Sequence, residues 1–174
     1  MDRPDSRHAL PVTAPETPSE RPGGTGAPRT VLDVDRRPVR VVPGRWDPAA
    51  AHVFARGQCL ALAIAMAERT RRPVAAHTMR DRGREVLRHC YAHLDGEGTV
   101  LDGSGAHDLR VVRAVAERRP GERVRTMAPR AAWADFAAGM VPQDLVLARS
   151  FVPGLLGRAR QGRGVRGAHA VRRG

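Results

Sequence analysis

Residues 59 to 69 read CLALAIAMAER, and this stretch decides the fold of the chain. Its side chains are apolar on nearly every face of a helix, and most of them are strong helix formers. Such a helix has no face that suits water, so we expect it to be buried on all sides. Pro73 follows shortly after and is expected to mark its end. The sequence therefore predicts a central helix that other elements surround.

A β-hairpin is expected downstream of this helix. Residues 85–94 (EVLRHCYAHL) and 99–102 (TVLD) flank Asp95-Gly96-Glu97-Gly98, whose glycines supply turn geometry. Further elements are expected on both sides of the hairpin: a strand pair or an edge strand around Pro38 over residues 31–42, helices over 108–118 and 130–138, and a strand over 123–127. A buried helix followed by antiparallel strands indicates an α+β fold.

Length and composition divide the 174 residues into one domain and two tails. Residues 1–30 are rich in Pro, Gly, Ser and Thr and poor in large apolar side chains, which predicts a disordered leader. Residues 157–174 repeat Gly and Arg without a hydrophobic period, which predicts a disordered basic tail. The folded domain is therefore expected over residues 31–156. Residues 149–174 carry seven Arg and no acidic residue, so a weak contact with nucleic acid is expected through the tail.

Cysteine content and hydropathy indicate the compartment. Cys59 and Cys90 are the two cysteines, and neither belongs to a C-x-x-C pair, so a disulfide scaffold or a zinc module is not expected. No run approaches the roughly 18 apolar residues of a membrane span, and the first 20 residues lack the apolar stretch of a secretory signal. We expect a cytoplasmic protein without membrane contact, or an effector exported without a cleavable signal. The absence of Lys and Asn is typical of GC-rich bacterial coding sequences.

Cys59 lies at the expected start of the buried helix. Unpaired backbone N–H groups and the positive end of the helix dipole favour an anion there, so the thiol is biased toward thiolate, its nucleophilic form. The same N–H groups can stabilise an oxyanion on a substrate carbonyl. The alternative is a small buried cysteine at the end of a core helix.

Alternation along the first hairpin strand assigns its residues to two faces. One face carries Leu87, His89, Tyr91 and His93, and the other carries Val86, Arg88, Cys90, Ala92 and Leu94. If Leu94 pairs with Thr99, Asp102 lies opposite Tyr91 and diagonally beside His89. A carboxylate in that position can hold one ring nitrogen of the imidazole and leave the other for a thiol. A shift of one residue would put Asp102 on the opposite face.

These residues resemble those of a known group of enzymes. RGQCLALAIAMAE (residues 56–68) and RHCYAHLDGEGTVLDGSG (residues 88–105) look like the papain-like superfamily, which includes transglutaminase-like domains, arylamine N-acetyltransferases and papain-fold bacterial toxin or effector domains. The resemblance implies a papain-like core in which a Cys-bearing helix packs on an antiparallel sheet. It implies that Cys59 is the nucleophile, that His89 is the general base and acid, and that Asp102 orients the imidazole.

Three neighbours of this trio are candidates for oxyanion stabilisation or substrate binding. Gln58 abuts the cysteine and can replace the upstream Gln that papain-like proteases use as an oxyanion donor. Tyr91 and His93 lie on the expected face of His89. His93 is also a rival base, although a hydrogen-bonded or solvent-facing strand histidine is the simpler interpretation.

The remaining features are interpreted as structural. Suitable metal ligands occur at Cys59, His77, His89, His93 and Asp102, but only the two hairpin histidines have organised spacing, so neither a metal nor a cofactor is expected. Gly103-Ser104-Gly105 lacks the rest of a P-loop and indicates a turn. Cys90, Trp133 and Phe136 are expected in the core.

Together these features predict a thiol-dependent hydrolase or acyl/amide transferase. Its substrate is expected to be a protein, a peptide or a small amide. The alternative is a non-catalytic basic module that binds nucleic acid or a protein partner through Arg-rich surfaces.

Overall fold

The computed structural model describes residues 30–34, 37–96 and 98–170, with side chains as far as Ala159. The predicted leader lies outside the described residues except for Thr30, and residues 171–174 lie outside them as well. Disorder of the leader and of residues 171–174 therefore stays a prediction.

The described residues form two antiparallel sheets and a set of helices, which confirms the α+β fold. The strands are β1 (Thr30–Val34), β2 (Arg37–Val41), β3 (Val74–Asp81), β4 (Arg84–His93), β5 (Thr99–Asp102), β6 (Gly105–Asp108) and β7 (Glu122–Met127); the helices are α1 (Pro48–Arg56), α2 (Cys59–Thr70), α3 (Leu109–Glu117), α4 (Pro129–Phe136) and α5 (Leu145–Ala170), with a 3-10 turn at Ala137–Gly139. β1 and β2 form a separate pair, and the larger sheet has the order β6-β5-β4-β3-β7.

Helix α2 lies at the centre of the fold, as its composition predicts. Every residue from Cys59 to Ala67 is buried. One side of α2 packs into a cluster with Phe151 of α5, and another packs into a cluster with Cys90 of β4. Burying a large aliphatic side chain contributes about 1.5–3 kcal/mol, so the packing on both sides holds α2 in place. The prediction of a helix buried on all sides is confirmed.

Helix α1 is an element that the sequence analysis did not predict. Its start nevertheless has a sequence signature, because Asp47 is the N-cap and Pro48 occupies the first helical position. The Asp47 carboxylate accepts a hydrogen bond from the Ala50 N–H at 3.0 Å. Near the other end of the helix, the Phe54 ring stacks on Trp46 with 5.8 Å between centroids. These contacts anchor α1 against the core.

The β4–β5 hairpin has the expected register. The Leu94 N–H donates to the Thr99 carbonyl at 2.9 Å, in step with the neighbouring residue pairs. This pairing places Asp102 opposite Tyr91, as predicted. β3 and β7 on one side and β6 on the other extend the hairpin to five strands.

An irregularity in the β3–β4 pairing overturns one part of the predicted alternation. The pairing shifts between His77, opposite His89, and Thr78, opposite Leu87, so Arg88 has no partner on β3. One extra residue reverses the alternation of faces. Leu87 consequently packs into the core beside α2, and the prediction that it shares the face of His89 is wrong.

Helix α5 extends the folded part of the chain toward its end. It begins at Leu145 and ends at Ala170, and Ala159 still packs against the core. The backbone is therefore helical beyond residue 156, where the basic tail was expected to begin. Side chains after Ala159 are not described, so the expected contact of the Arg-rich tail with nucleic acid stays a prediction.

The length and hydropathy of the helices bear on whether the chain could span a membrane. In the part of the chain that the structure describes, no single helix is both long and apolar enough to cross a bilayer. α1 and α2 meet the criterion only as a pair, and that pair is bent by 103°.

Candidate active site

Cys59 is the first residue of α2 and lies at its electropositive end. The first N–H groups of a helix have no acceptor within the helix, and the dipole adds partial positive charge there. The residue is 5 % exposed and belongs to the core cluster between α2 and β4. The sulfur therefore combines a favourable electrostatic position with little contact with solvent.

His89 connects the thiol to a carboxylate. Its Nε2 lies 2.7 Å from Asp102 Oδ2, and its side chain also forms a hydrogen bond with Cys59. Because Asp102 occupies Nε2, the other ring nitrogen is left for the thiol. Burial on its own would lower the pKa of His89, but the hydrogen bonds to Asp102 and Cys59 outweigh it and raise the pKa to about 9. The structure thus brings together the three residues that the sequence singled out.

Asp102 is buried and accepts hydrogen bonds at both of its oxygens. Oδ2 accepts from His89, while Oδ1 accepts from the Ser104 N–H at 2.8 Å, the Ser104 hydroxyl at 2.7 Å, the Gly105 N–H at 3.2 Å and His107 Nε2 at 2.9 Å. Burial on its own would raise the pKa of Asp102, but the bonds from His89, Ser104 and His107 hold it well below its usual range. The carboxylate is therefore an anion at neutral pH.

Sequence reasoning missed His107 and treated Ser104 only as a turn residue. β5 and β6 are joined through Gly103-Ser104, and their register puts His107 opposite Val100. Directly paired residues share a face, and Val100 lies two residues before Asp102, so His107 lies on the face of Asp102. If Gly103-Ser104 is taken as a two-residue hairpin loop, the sequence predicts that His107 lies on the face of Asp102.

Gly103 allows α1 to approach the Asp102 turn closely. A Cβ at this position would lie 3.0 Å from the Ala55 nitrogen and 3.1 Å from the Ala51 carbonyl oxygen, both of them backbone atoms of α1. Only glycine fits such a contact without a shift of the helix or the turn. The loop that follows Asp102 is thus held directly against α1.

Tyr91 packs between the two imidazoles that contact Asp102. Its ring meets the His89 ring edge-on at 4.6 Å and the His107 ring at 5.8 Å between centroids. Burial, together with the negative charge of Asp102, raises the pKa of Tyr91 to about 12, so the phenol keeps its proton. Tyr91 therefore supplies a neutral wall beside His89, and its predicted role in substrate binding stays a prediction.

Gln58 is bound to the segment that precedes α5. Its Nε2 donates to the Pro142 carbonyl at 2.8 Å, and its Oε1 accepts from the Asp144 N–H at 2.8 Å. In return, Gln143 Oε1 accepts from the Ala61 N–H at 3.1 Å and so caps α2. One of the two N–H donors of the Gln58 amide is thus bound to Pro142, and the predicted oxyanion role of Gln58 stays a prediction. Sequence analysis missed Gln143, which is distant in the chain and has no recognisable motif.

His93 lies apart from the trio. Its Nε2 is buried and has no hydrogen-bond partner in the described part of the chain. Burial and the positive charge of Arg113 lower the pKa of His93, which favours the neutral ring. The charged neighbours that act on it are Arg113, Asp95 and Arg72, none of which belongs to the trio. Its predicted role in substrate binding stays a prediction.

The surroundings of Asp102 include an open cleft. A cleft of about 680 Å³ is lined by Ser104 and His107 together with Trp46, Leu155 and Arg158. Across the described residues, no group of three or more His, Cys, Asp or Glu side chains is arranged to hold a metal ion. The histidines and the carboxylate of the site are bound to one another instead.

The raised pKa of His89 leads to a prediction about stability. A histidine whose pKa rises from 6.5 to about 9 on folding adds stability that is fully present below pH 6.5. That contribution is lost as the pH rises through about 9. We expect the free energy of unfolding in urea to fall more steeply above neutral pH in the wild type than in His89→Gln. Parallel curves for the two proteins would contradict this expectation.

The chain was compared with known proteins. No protein-family model matches it, and neither a curated protein nor a solved structure does. The relation to papain-like enzymes therefore stays a prediction. What can be said of function depends on the geometry of Cys59, His89 and Asp102.

Proposed function

We propose that the protein is a thiol-dependent hydrolase or acyl/amide transferase of the papain-like type, acting on a protein, a peptide or a small amide. The observation that carries the proposal is the pairing at His89, which binds Asp102 through Nε2 and also hydrogen-bonds to Cys59. A nucleophile, a base and a group that orients the base are the parts that nucleophilic catalysis needs. A purely structural cysteine would need neither partner.

The first half of the reaction forms a thioester on Cys59. Sγ, as the thiolate beside the His89 imidazolium, attacks the acyl carbon, and a C–S bond forms while the carbonyl electrons move to oxygen. When the tetrahedral intermediate collapses, the bond to the leaving amine or alcohol breaks, and that group takes its proton from His89. Neutral His89 then accepts a proton from water or from an acceptor amine, which attacks the thioester and releases Cys59 as a thiolate.

The oxyanion in each step needs donors close to the sulfur. The N–H groups of Cys59 and Leu60, the first two of α2, point toward that end of the helix and can donate to it, whereas the Ala61 N–H is bound to Gln143. Gln58 is the neighbouring side-chain donor, but its Nε2 is bound to Pro142. We therefore assign the oxyanion mainly to the α2 backbone.

Entry of a substrate requires more access than this conformation gives, because Cys59 is 5 % exposed. The segment over residues 140–144 covers the start of α2. Gln58 binds Pro142 and Asp144 of this segment, and Gln143 of the segment accepts from the Ala61 N–H. Met140 packs against the cluster that contains Cys59, and a Cβ at Gly57 would lie 3.9 Å from a Val141 methyl. Displacement of this segment would expose the sulfur and release the Gln58 N–H that is bound to Pro142.

Acylation by an activated ester tests the proposed function. With p-nitrophenyl acetate at pH 7, we expect a burst of nitrophenol and an acetyl group on Cys59 in the peptide mass spectrum. Cys59→Ala should lose both, whereas Cys90→Ala should keep them because Cys90 is a core residue with 1 % exposure. An acetyl group spread over other residues, or a burst that survives Cys59→Ala, would contradict the proposal.

A further inference from the structure

Asp102 has two imidazole partners, one at each oxygen. His89 Nε2 contacts Oδ2 at 2.7 Å, and His107 Nε2 contacts Oδ1 at 2.9 Å. An ionised carboxylate only accepts hydrogen bonds, so His107 donates its Nε2–H. Acyl transfer by Cys59 and His89 does not itself use His107, yet the histidine shares the carboxylate on which His89 depends.

The bonds at Oδ1 determine where Oδ2 points. Ser104 and Gly105 donate to Oδ1 from the turn itself, whereas His107 donates from the neighbouring strand β6. Donors from two different elements fix the plane of the carboxylate better than one flexible turn can. With that plane fixed, Oδ2 stays aimed at His89.

Ser104 and His107 do not form a second nucleophilic site. The Ser104 hydroxyl lies 3.0 Å from His107 Nε2, which is the same nitrogen that contacts Asp102. A base that activates a serine needs one ring nitrogen for the hydroxyl and the other for the carboxylate. Moreover, the Ser104 hydroxyl proton is directed to Asp102 Oδ1 at 2.7 Å. The contacts of His107 therefore serve the carboxylate.

We propose that His107 is a positioning residue, which holds the carboxylate of Asp102 so that Oδ2 keeps its hydrogen bond to His89 Nε2. The inference rests on the proposed function, since positioning matters only if His89 serves Cys59. The titratable groups that surround His89 are Cys59 of α2, His77 of β3, Tyr91 of β4 and Asp102 of β5. His107 of β6 reaches His89 through Asp102, and His77 is itself bound to Glu122 of β7.

Loss of His107 should weaken the hold of Asp102 on the His89 proton. The proton that His89 and Cys59 share then moves toward the sulfur, and the reactive thiolate becomes less populated at neutral pH. In His107→Ala we expect alkylation of Cys59 by iodoacetamide at pH 7 to slow about fivefold, in line with the loss of one charge-assisted hydrogen bond. His107→Gln keeps an N–H donor near the position of Nε2, so the rate of Cys59 alkylation in this variant should stay within about twofold of the wild-type rate.

Nitrogen NMR of the histidine rings provides a readout that does not depend on reactivity. The His89 ring should lose its proton at lower pH in His107→Ala than in the wild type and at nearly the wild-type pH in His107→Gln. If the pH at which the His89 ring loses its proton is unchanged or higher in His107→Ala, the inference is overturned. If wild-type Cys59 reacts no faster than a free thiol, the proposed function fails, while the NMR titration still decides the role of His107.

Discussion

Replacement of His89 by Ala is expected to slow alkylation of Cys59 at pH 7 by about tenfold or more. A free thiol with a pKa of roughly 8.5 is only about 3 % thiolate at this pH, so a thiol held as thiolate by an imidazolium has a large advantage to lose. His89 hydrogen-bonds to Cys59 and is held by Asp102, so its removal leaves the sulfur without that partner. Peptide mass spectrometry after timed exposure to iodoacetamide measures the rate at Cys59 separately from that at Cys90.

His77 provides a matched control for this substitution. It is another partly buried strand histidine, it lies opposite His89 on β3, and its Nε2 lies 2.7 Å from Glu122. His77→Ala removes an imidazole bound to a carboxylate without touching the hydrogen bond between His89 and Cys59. We expect it to change the rate less than twofold. Equal rates in the wild type and in His89→Ala would remove the case for a nucleophilic Cys59.

Replacement of Asp102 by Ala is expected to lower the free energy of unfolding by about 3 kcal/mol at pH 7, because it removes one member of a buried, hydrogen-bonded charge pair. The Asp102 side chain is 7 % exposed and accepts hydrogen bonds from two histidines, a hydroxyl and two backbone N–H groups. Without the carboxylate, these donors face a small cavity that cannot satisfy them. Urea denaturation followed by circular dichroism measures the loss.

The control for Asp102→Ala is an aspartate on the surface. Asp33 of β1 is exposed, and substitutions of exposed residues that make no special contact change stability by about 0.5 kcal/mol or less. Asp102→Asn keeps the shape of the side chain, so its loss in the free energy of unfolding should lie between those of Asp102→Ala and Asp33→Ala. A loss in Asp102→Ala no larger than that in Asp33→Ala would show that the network adds little to the stability of the fold.

The local sequence pattern was sufficient to predict part of the candidate site. The four-residue turn permits several registers, and the register assumed from the sequence puts Asp102 on the face of His89, which the structure bears out. The same reasoning applied to Gly103-Ser104 would have added His107. Strand alternation failed to assign Leu87 to the correct face, because a one-residue irregularity in strand pairing leaves no trace in the alternation of apolar residues.

The sequence by itself determined the elements whose physics is local. An all-apolar helix must be buried, and alternating strands around a glycine-rich turn must pair. The tertiary structure alone decided that Gln143 caps the helix of Cys59 and that α1 presses on Gly103. Such contacts join residues that are far apart in the chain, and their stability comes from geometry that only the packed core creates, so no local pattern records them.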